Sequence, residues 1–138
     1  MGKKKILFVE DELDMRIFIS TVLRSEGYEP IAARNAVEGL QKARAIRPDL
    51  VIMDVMMPQA GGVTLFREIR RDEQLGRTPV IMLTGVSQKA FAHHLKMLDL
   101  ANSVPLTPPE AYLEKPLEPA RLVQTIRGLL HEDAPASS

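Results

Sequence analysis

Five short apolar runs alternate along the chain with segments of helical periodicity. The runs are Ile6–Val9, a weak one at Pro30–Ala33, Leu50–Met53, Val80–Leu83 and Ala111–Leu113. Unbroken apolar runs rich in Val and Ile are typical of strands that are buried on both faces. Five such strands with intervening helices predict an α/β fold, a doubly wound five-stranded parallel sheet between two layers of helices.

Each run is followed by a segment whose apolar residues recur at helical spacing. These sets are Leu13, Ile17, Ile19, Val22 and Leu23; a helix from Asn35 to about Arg47; Val63, Leu65, Phe66 and Ile69; Phe91, Leu95, Leu98 and Leu100; and Leu122, Val123, Ile126 and Leu130. Gly27 is expected to stop the first helix, Asn35 with Glu38 to start the second, and Pro119 to occupy the first turn of the fifth. Only the segment Asn102–Glu110 does not fit, because its three prolines disfavour a helix and it is long for a tight connection.

Length and composition narrow the class of protein. The 138 residues suffice for one ordinary domain, and the absence of cysteine excludes disulfides, thiolate metal sites and a cysteine nucleophile. Lys and Arg number 18 and so do Asp and Glu, and this zero net charge argues against direct nucleic-acid binding. The apolar runs have the length of strands and not the roughly 20 residues of a membrane span, so we expect a cytoplasmic protein without membrane insertion.

Polar residues stand where four of the predicted strands end, which is the edge where parallel sheets collect their ligands. Glu10 and Asp11 follow the first strand, Asp54 the third, Thr84 the fourth and Lys115 the fifth. Glu12 comes next after the acidic pair, but as a first-turn acid it complements the dipole of the first helix, which is the favoured interpretation.

The chemistry of such a cluster is constrained. Two carboxylates about 4 Å apart repel by roughly 1–4 kcal/mol, so three of them require a cation. An all-oxygen ligand set favours a hard ion, and Mg²⁺ above others. With a lysine and a hydroxyl nearby, a carboxylate nucleophile suits phosphoryl transfer to form an acyl phosphate.

Four motifs together resemble the receiver domain of two-component response regulators, similar to the single-domain chemotaxis-regulator type. They are Ile6–Glu12, Asp54–Pro58 with Gly62, Met82–Gly85 and Tyr112–Pro116. The resemblance covers residues 4–131 as one receiver domain and leaves 132–138 as a disordered C-terminal tail. It implies a flavodoxin-like (βα)5 fold with strand order 2-1-3-4-5.

The resemblance also implies roles for individual residues. Asp54 would accept the phosphoryl group, and Thr84 and Lys115 would contact the phosphoryl oxygens. The metal would be held by Glu10, Asp11, Asp54 and the backbone carbonyl of Met56. Tyr112 would be the aromatic switch residue, and Pro116 follows the lysine where a cis peptide bond is often found.

As a whole, the resemblance implies a stand-alone switch and not an enzyme, beyond self-catalysed phosphorylation and dephosphorylation. Its partners would be a histidine kinase or phosphotransfer protein and a downstream protein target. The target would bind the face formed by the fourth predicted helix, the fifth strand and the fifth predicted helix, and a dimer linked to phosphorylation is a further expectation.

Four departures from the usual pattern leave alternatives open. Glu10 stands where Asp is more frequent, Gly85 where alanine is usual and Gly61 where an acidic or polar residue is common, and the chain has surplus residues around Asn102–Glu110. A pseudo-receiver that binds partners without being phosphorylated is one alternative. A haloacid dehalogenase-like phosphohydrolase is another, although it expects a second acid where Met56 stands.

Overall fold

The five strands form one parallel sheet in the order β2-β1-β3-β4-β5, so the predicted fold class and strand order are confirmed. The computed structural model describes residues 2–55, 61–85 and 107–132. The strands are β1 (Lys5–Val9), β2 (Glu29–Ala33), β3 (Leu50–Asp54), β4 (Val80–Thr84) and β5 (Ala111–Glu114). The helices are α1 (Leu13–Ser25), α2 (Ala36–Ile46), α3 (Gly61–Arg71) and α4 (Pro119–Leu129), the last being the fifth predicted helix. The fourth predicted helix, Met56 and most of Asn102–Glu110 lie outside the described residues.

Alternate residues of the strands point to opposite faces of the sheet and build two apolar cores. Leu7, Val51 and Met82 pack on one face with residues of α2 and α3. Phe8, Ile52 and Leu83 pack on the other face with residues of α1 and α4. The result is a three-layer sandwich, in which the central strands β1, β3 and β4 are almost wholly buried.

Several helix ends follow the local signals of the sequence. The Asn35 side chain accepts a hydrogen bond from the Glu38 backbone N–H at 2.8 Å and so caps α2, as predicted. Gly27, with φ of +87°, lies just after α1 in the left-handed conformation that glycine tolerates best. Pro119 is in the first turn of α4, where its missing N–H costs nothing.

One part of the apolar stripe predicted on α1 was wrong. Ile19 and Leu23 are buried as expected, but Leu13 is 61% exposed and Ile17 is 56% exposed. The two exposed side chains are four residues apart and therefore share a face of the helix that points away from the sheet. The side chains that do pack, including Met15 and Phe18, continue the buried stripe along a different face.

Gly62 allows α3 to lie directly against the end of β3. A Cβ atom at Gly62 would come within 2.4 Å of the Asp54 carbonyl oxygen and 2.8 Å of the Val55 Cα. Both of these atoms are backbone and cannot rotate away. A residue with a side chain at this position must therefore displace the chain that carries Asp54.

The C-terminal end of the described chain is held against the connection between α1 and β2. The Tyr28 hydroxyl donates a hydrogen bond to the Glu132 carboxylate, and Arg127 of α4 forms an ion pair with Glu26 at 2.8 Å. Residues 133–138 of the predicted tail lie outside the described residues. Within the described ranges, every helix is too short or too polar to cross a membrane.

We expect Gly62→Ala to lower the free energy of unfolding by about 1–3 kcal/mol, because the added methyl group overlaps backbone atoms. Gly128→Ala is the matched control, since a Cβ there has no neighbour within 4 Å and lies in α4. That control should stabilise the protein by up to about 1 kcal/mol through helix propensity. Urea unfolding of both variants checks the prediction, and equal effects of the two substitutions would contradict it.

Candidate functional site

The strand register brings the predicted site residues to one edge of the sheet. Val9 of β1 is paired with Met53 of β3, so the next residues, Glu10 and Asp54, are neighbours. Asp54 is in turn level with Leu83 of β4, which puts Thr84 one residue further along. Parallel pairing therefore assembles side chains from distant parts of the chain at one edge of the sheet.

Three polar side chains at this edge are buried. Glu10 is 1% exposed, Asp54 is 2% exposed and Thr84 is fully buried. Burial of ionisable groups is costly unless they are paired. The pairing cation is Lys115, whose ammonium forms a salt bridge with Asp54 and lies 3.7 Å from Glu10 Oε1.

The electrostatics of Lys115 reflect this arrangement. Burial alone lowers the pKa of Lys115, but the hydrogen bond and charge of Asp54, together with the charge of Glu10, outweigh burial and raise it. Lys115 therefore stays charged throughout the physiological range. The adjoining Lys115–Pro116 peptide bond is cis, as the sequence predicted.

The Glu10 carboxylate makes only some of the hydrogen bonds that its two oxygens could accept. Its Oε2 accepts a hydrogen bond from the Glu12 backbone N–H at 3.0 Å, while its buried Oε1 has no hydrogen-bond partner among the described residues. Burial is the main reason that the pKa of Glu10 rises to about 7, and the neighbouring Asp11 and Asp54 raise it further against the lowering effect of the Glu12 N–H. A buried carboxylate oxygen without a partner is the kind of group that a cation stabilises.

The residues present fit a hard divalent cation. Carboxylate oxygens of Glu10, Asp11 and Glu12 can all lie within 4.8 Å of one another. Glu12 thus belongs to the acidic cluster as well as preceding the first turn of α1. Asp54, also predicted as a ligand, forms a salt bridge with Lys115 through one carboxylate oxygen, and the predicted contribution of Met56 falls outside the described residues.

The two predicted switch residues lie on adjacent strands. Tyr112 of β5 is paired with Met82 of β4, two residues before Thr84. The tyrosine ring is partly buried and packs against the apolar core on the α2 and α3 face, and burial raises its pKa. The Thr84 carbonyl oxygen accepts a hydrogen bond from the Lys115 N–H at 2.9 Å, so β4 and β5 are linked at the level of the site.

Sequence patterns missed one residue of this edge. Arg16 in α1 donates a hydrogen bond from Nη1 to the Glu10 backbone carbonyl oxygen at 2.9 Å. The contact fixes the chain direction just after β1, where the acidic cluster begins. Nothing distinguishes Arg16 from the other basic residues of amphipathic helices when only one sequence is known.

Comparison with known proteins agrees with this geometry. The family model of the response regulator receiver domain matches residues 6–127. The chain belongs to the response regulator receiver family. Among its relatives, the polar-differentiation response regulator DivK of Brucella anthropi is 33% identical over 128 residues, covering 92% of this chain and 96% of DivK.

Solved receiver structures share the fold of this chain. The chemotaxis protein CheY4 of Vibrio cholerae superimposes with a TM-score of 0.80 at 29% identity, over 93% of this chain and 99% of CheY4. A CheY-like receiver domain protein of Methanospirillum hungatei gives a TM-score of 0.76 at 26% identity, over 94% of this chain and 95% of that protein. The described strands and helices of this chain therefore have the receiver architecture.

The raised pKa of Glu10 predicts a specific pH dependence for this receiver domain. Because the folded protein holds the Glu10 proton more tightly than the unfolded chain, protonation stabilises the fold. This contribution is fully present below about pH 4.5 and is lost as the pH rises through about 7. In EDTA, the wild type should therefore lose stability between pH 5 and pH 8 relative to Glu10→Gln.

Urea unfolding of both proteins across that range measures the effect. The comparison with Glu10→Gln removes the contribution of all other titrating groups, which the two proteins share. Parallel stability curves for the two proteins would show that Glu10 is ionised at its ordinary pKa.

Proposed function

We propose that this chain is a stand-alone response regulator that accepts a phosphoryl group on Asp54. The observation that carries the proposal is the buried Asp54 carboxylate, in a salt bridge with Lys115 and beside the buried Glu10. A carboxylate nucleophile needs positive charge nearby to receive an anionic phosphoryl group, and Lys115 supplies it. Receiver domains of this family are generally signalling switches and not classical enzymes, so the phosphohydrolase alternative is dropped.

The reaction follows from the groups at this edge. An Asp54 oxygen attacks the phosphorus of a phosphohistidine and the N–P bond breaks as the O–P bond forms. The histidine leaves as a neutral imidazole, because its ring takes up a proton from solvent. Lys115, already bound to Asp54, then pairs with a phosphoryl oxygen, and the Thr84 hydroxyl donates a hydrogen bond to another. Glu10 and Asp11 would hold Mg²⁺, which supplies positive charge to the phosphoryl oxygens when it is bound.

Signal output in this proposal depends on β4 and β5. When the Thr84 hydroxyl moves toward the phosphoryl group, the space beside the Tyr112 ring changes. Tyr112 is paired with Met82, two residues before Thr84, and its ring packs against the apolar core. Phosphorylation would thereby bias an equilibrium between two conformations, and a downstream protein would read the face that β5 and α4 contribute to.

The exposed residues of α1 support a protein as the phosphoryl donor. Leu13 and Ile17 form an apolar surface one turn long, directly after the acidic cluster. Contiguous exposed apolar patches that are rimmed by polar residues are typical of protein interaction sites. The proposed partner at this surface is a histidine kinase or a phosphotransfer protein, and the proposed setting is the cytoplasm.

The pseudo-receiver alternative is not supported. It would require an essential group to be missing or held away from the others. Asp54, Thr84 and Lys115 are present together at the same edge, and Lys115 already contacts Asp54.

Incubation with acetyl phosphate and Mg²⁺ should add one base-labile phosphoryl group, which hydroxylamine removes, to the wild-type protein. Asp54→Asn should remain unlabelled, because the amide is not a nucleophile. Asp49→Asn is the matched control, since Asp49 accepts a hydrogen bond from the Lys5 N–H at the opposite end of β1 and should not affect labelling. Intact-protein mass spectrometry gives the result, and labelling of Asp54→Asn would refute the assignment.

Mg²⁺ should raise the melting temperature through the acidic cluster. At ten times the Kd, binding adds about 1.4 kcal/mol to the free energy of unfolding, which is about 5 °C in Tm for a domain of this size. The double variant Glu10→Gln with Asp11→Asn should lose the rise, whereas Asp14→Asn in the exposed first turn of α1 should keep it. An unchanged rise in the melting temperature of the double variant would show that the metal binds elsewhere.

Leu13→Ser with Ile17→Ser should slow phosphoryl transfer from a phosphohistidine protein at least tenfold, because two apolar side chains contribute over about 1.4 kcal/mol to docking. Labelling by acetyl phosphate should not change, because the small donor needs no docking surface. Val37→Ser, a 70% exposed position on α2 at the other face of the sheet, is the control. If the rate fell equally with the phosphohistidine protein and with acetyl phosphate, Leu13 and Ile17 would belong to the phosphorylation site itself.

A further inference from the structure

Arg70, at the end of α3, is a buried arginine that holds the chain before β5. Its side chain is 2% exposed. The guanidinium donates to the carbonyl oxygens of Thr107 and Pro108, each at 3.0 Å, and of Thr78 at 2.9 Å. It also lies over the Phe66 ring, 4.9 Å from the centroid. One side chain thus connects α3, the α3–β4 connection and the segment that leads into β5.

Glu110 completes this cluster at the start of the β4–β5 pairing. Its Oε1 accepts a hydrogen bond from Arg70 Nη2 at 2.7 Å and another from the Val80 backbone N–H, also at 2.7 Å. The Glu110 N–H in turn donates to the Val80 carbonyl oxygen at 3.0 Å. The carboxylate therefore joins the Arg70 contacts to the first rung between β4 and β5.

The strand that follows packs against the core but has limited strand pairing. β5 has four residues and lies at the edge of the sheet, so that among the described strands it pairs with β4 alone. The pairing runs from Ala111, level with Ile81, to Glu114, level with Thr84. Lys115 comes next and meets Asp54. A short edge strand that is loose at its start cannot keep its register at its end.

We propose that Arg70 is a positioning residue for the phosphoacceptor site, acting through Glu110 and β5 on Lys115. By fixing the entry of the chain into β5, it sets the register that carries the Lys115 ammonium to the Asp54 carboxylate. The inference rests on the proposed function for its kinetic consequence, whereas its structural consequence is independent of phosphorylation.

Arg70→Lys tests the proposal with the least damage to the core. Lysine keeps the charge but cannot reach three carbonyl oxygens and Glu110 at once, because it lacks the planar fork of donors. Glu110→Gln is a milder second variant, since the amide oxygen still accepts while the charge pairing is lost. Arg127→Lys is the matched control, because Arg127 forms an ion pair with Glu26 of similar geometry between α4 and the end of α1.

The first readout is amide hydrogen exchange by mass spectrometry, under conditions where every variant is folded. Arg70→Lys should speed exchange selectively in residues 110–115, including the Lys115 N–H that bonds Thr84, and Glu110→Gln should do so less. Arg127→Lys should leave this segment at the wild-type rate. Uniform acceleration across the protein, or none in 110–115, would overturn the proposal.

The second readout is the maximal rate of labelling by acetyl phosphate per folded molecule. Arg70→Lys should lower it about tenfold, since small displacements of a catalytic group cost that much, and Arg127→Lys should leave it unchanged. If Arg70→Lys is labelled at the wild-type rate although its residues 110–115 exchange faster, the positioning role is refuted. If the wild type itself is not labelled, the proposed function fails, and the exchange result still decides whether Arg70 holds β5.

Discussion

The salt bridge between Lys115 and Asp54 is the interaction that makes the rest of this edge possible. Two carboxyl groups, of Glu10 and Asp54, are almost completely buried side by side, and without a cation their repulsion and desolvation would oppose folding. Lys115 stabilises Asp54 directly and Glu10 at longer range. Glu10 is left with a raised pKa and an oxygen that has no hydrogen-bond partner among the described residues, so the site is stable enough to fold and still favours a further cation.

The parallel sheet supports the salt bridge between Lys115 and Asp54 by fixing where each strand ends. Parallel pairing sets Glu10 beside Asp54 and Thr84 one step beyond, while Gly62 lets α3 approach the carbonyl of Asp54 within a distance that no side chain would allow. Arg16 holds the chain after β1 from the α1 side. Lys115 directly follows β5, an edge strand that pairs only with β4 among the described strands, and the buried Arg70 holds the entry of the chain into this strand.

The sequence predicted the sheet and its polar edge because both follow from local patterns. Apolar runs mark the buried strands, and parallel strands necessarily bring their carboxyl ends together, so Asp54, Thr84 and Lys115 could be named in advance. Leu13 and Ile17 were misassigned because helical spacing shows which residues are apolar but not which apolar face meets the sheet. The contact of Arg70 with Glu110 was missed because it joins residues 40 positions apart, and no periodicity reports such a pair.

The central claim is that Asp54, and no other acid of the cluster, receives the phosphoryl group. Borohydride reduction of the acetyl phosphate-treated protein converts an acyl phosphate into an alcohol, which turns the labelled aspartate into homoserine. Peptide mass spectrometry then identifies the residue. If Asp54 is the acceptor, homoserine should appear at position 54 alone. A reduced residue at Glu10, Asp11 or Glu12 in place of position 54 would contradict this assignment.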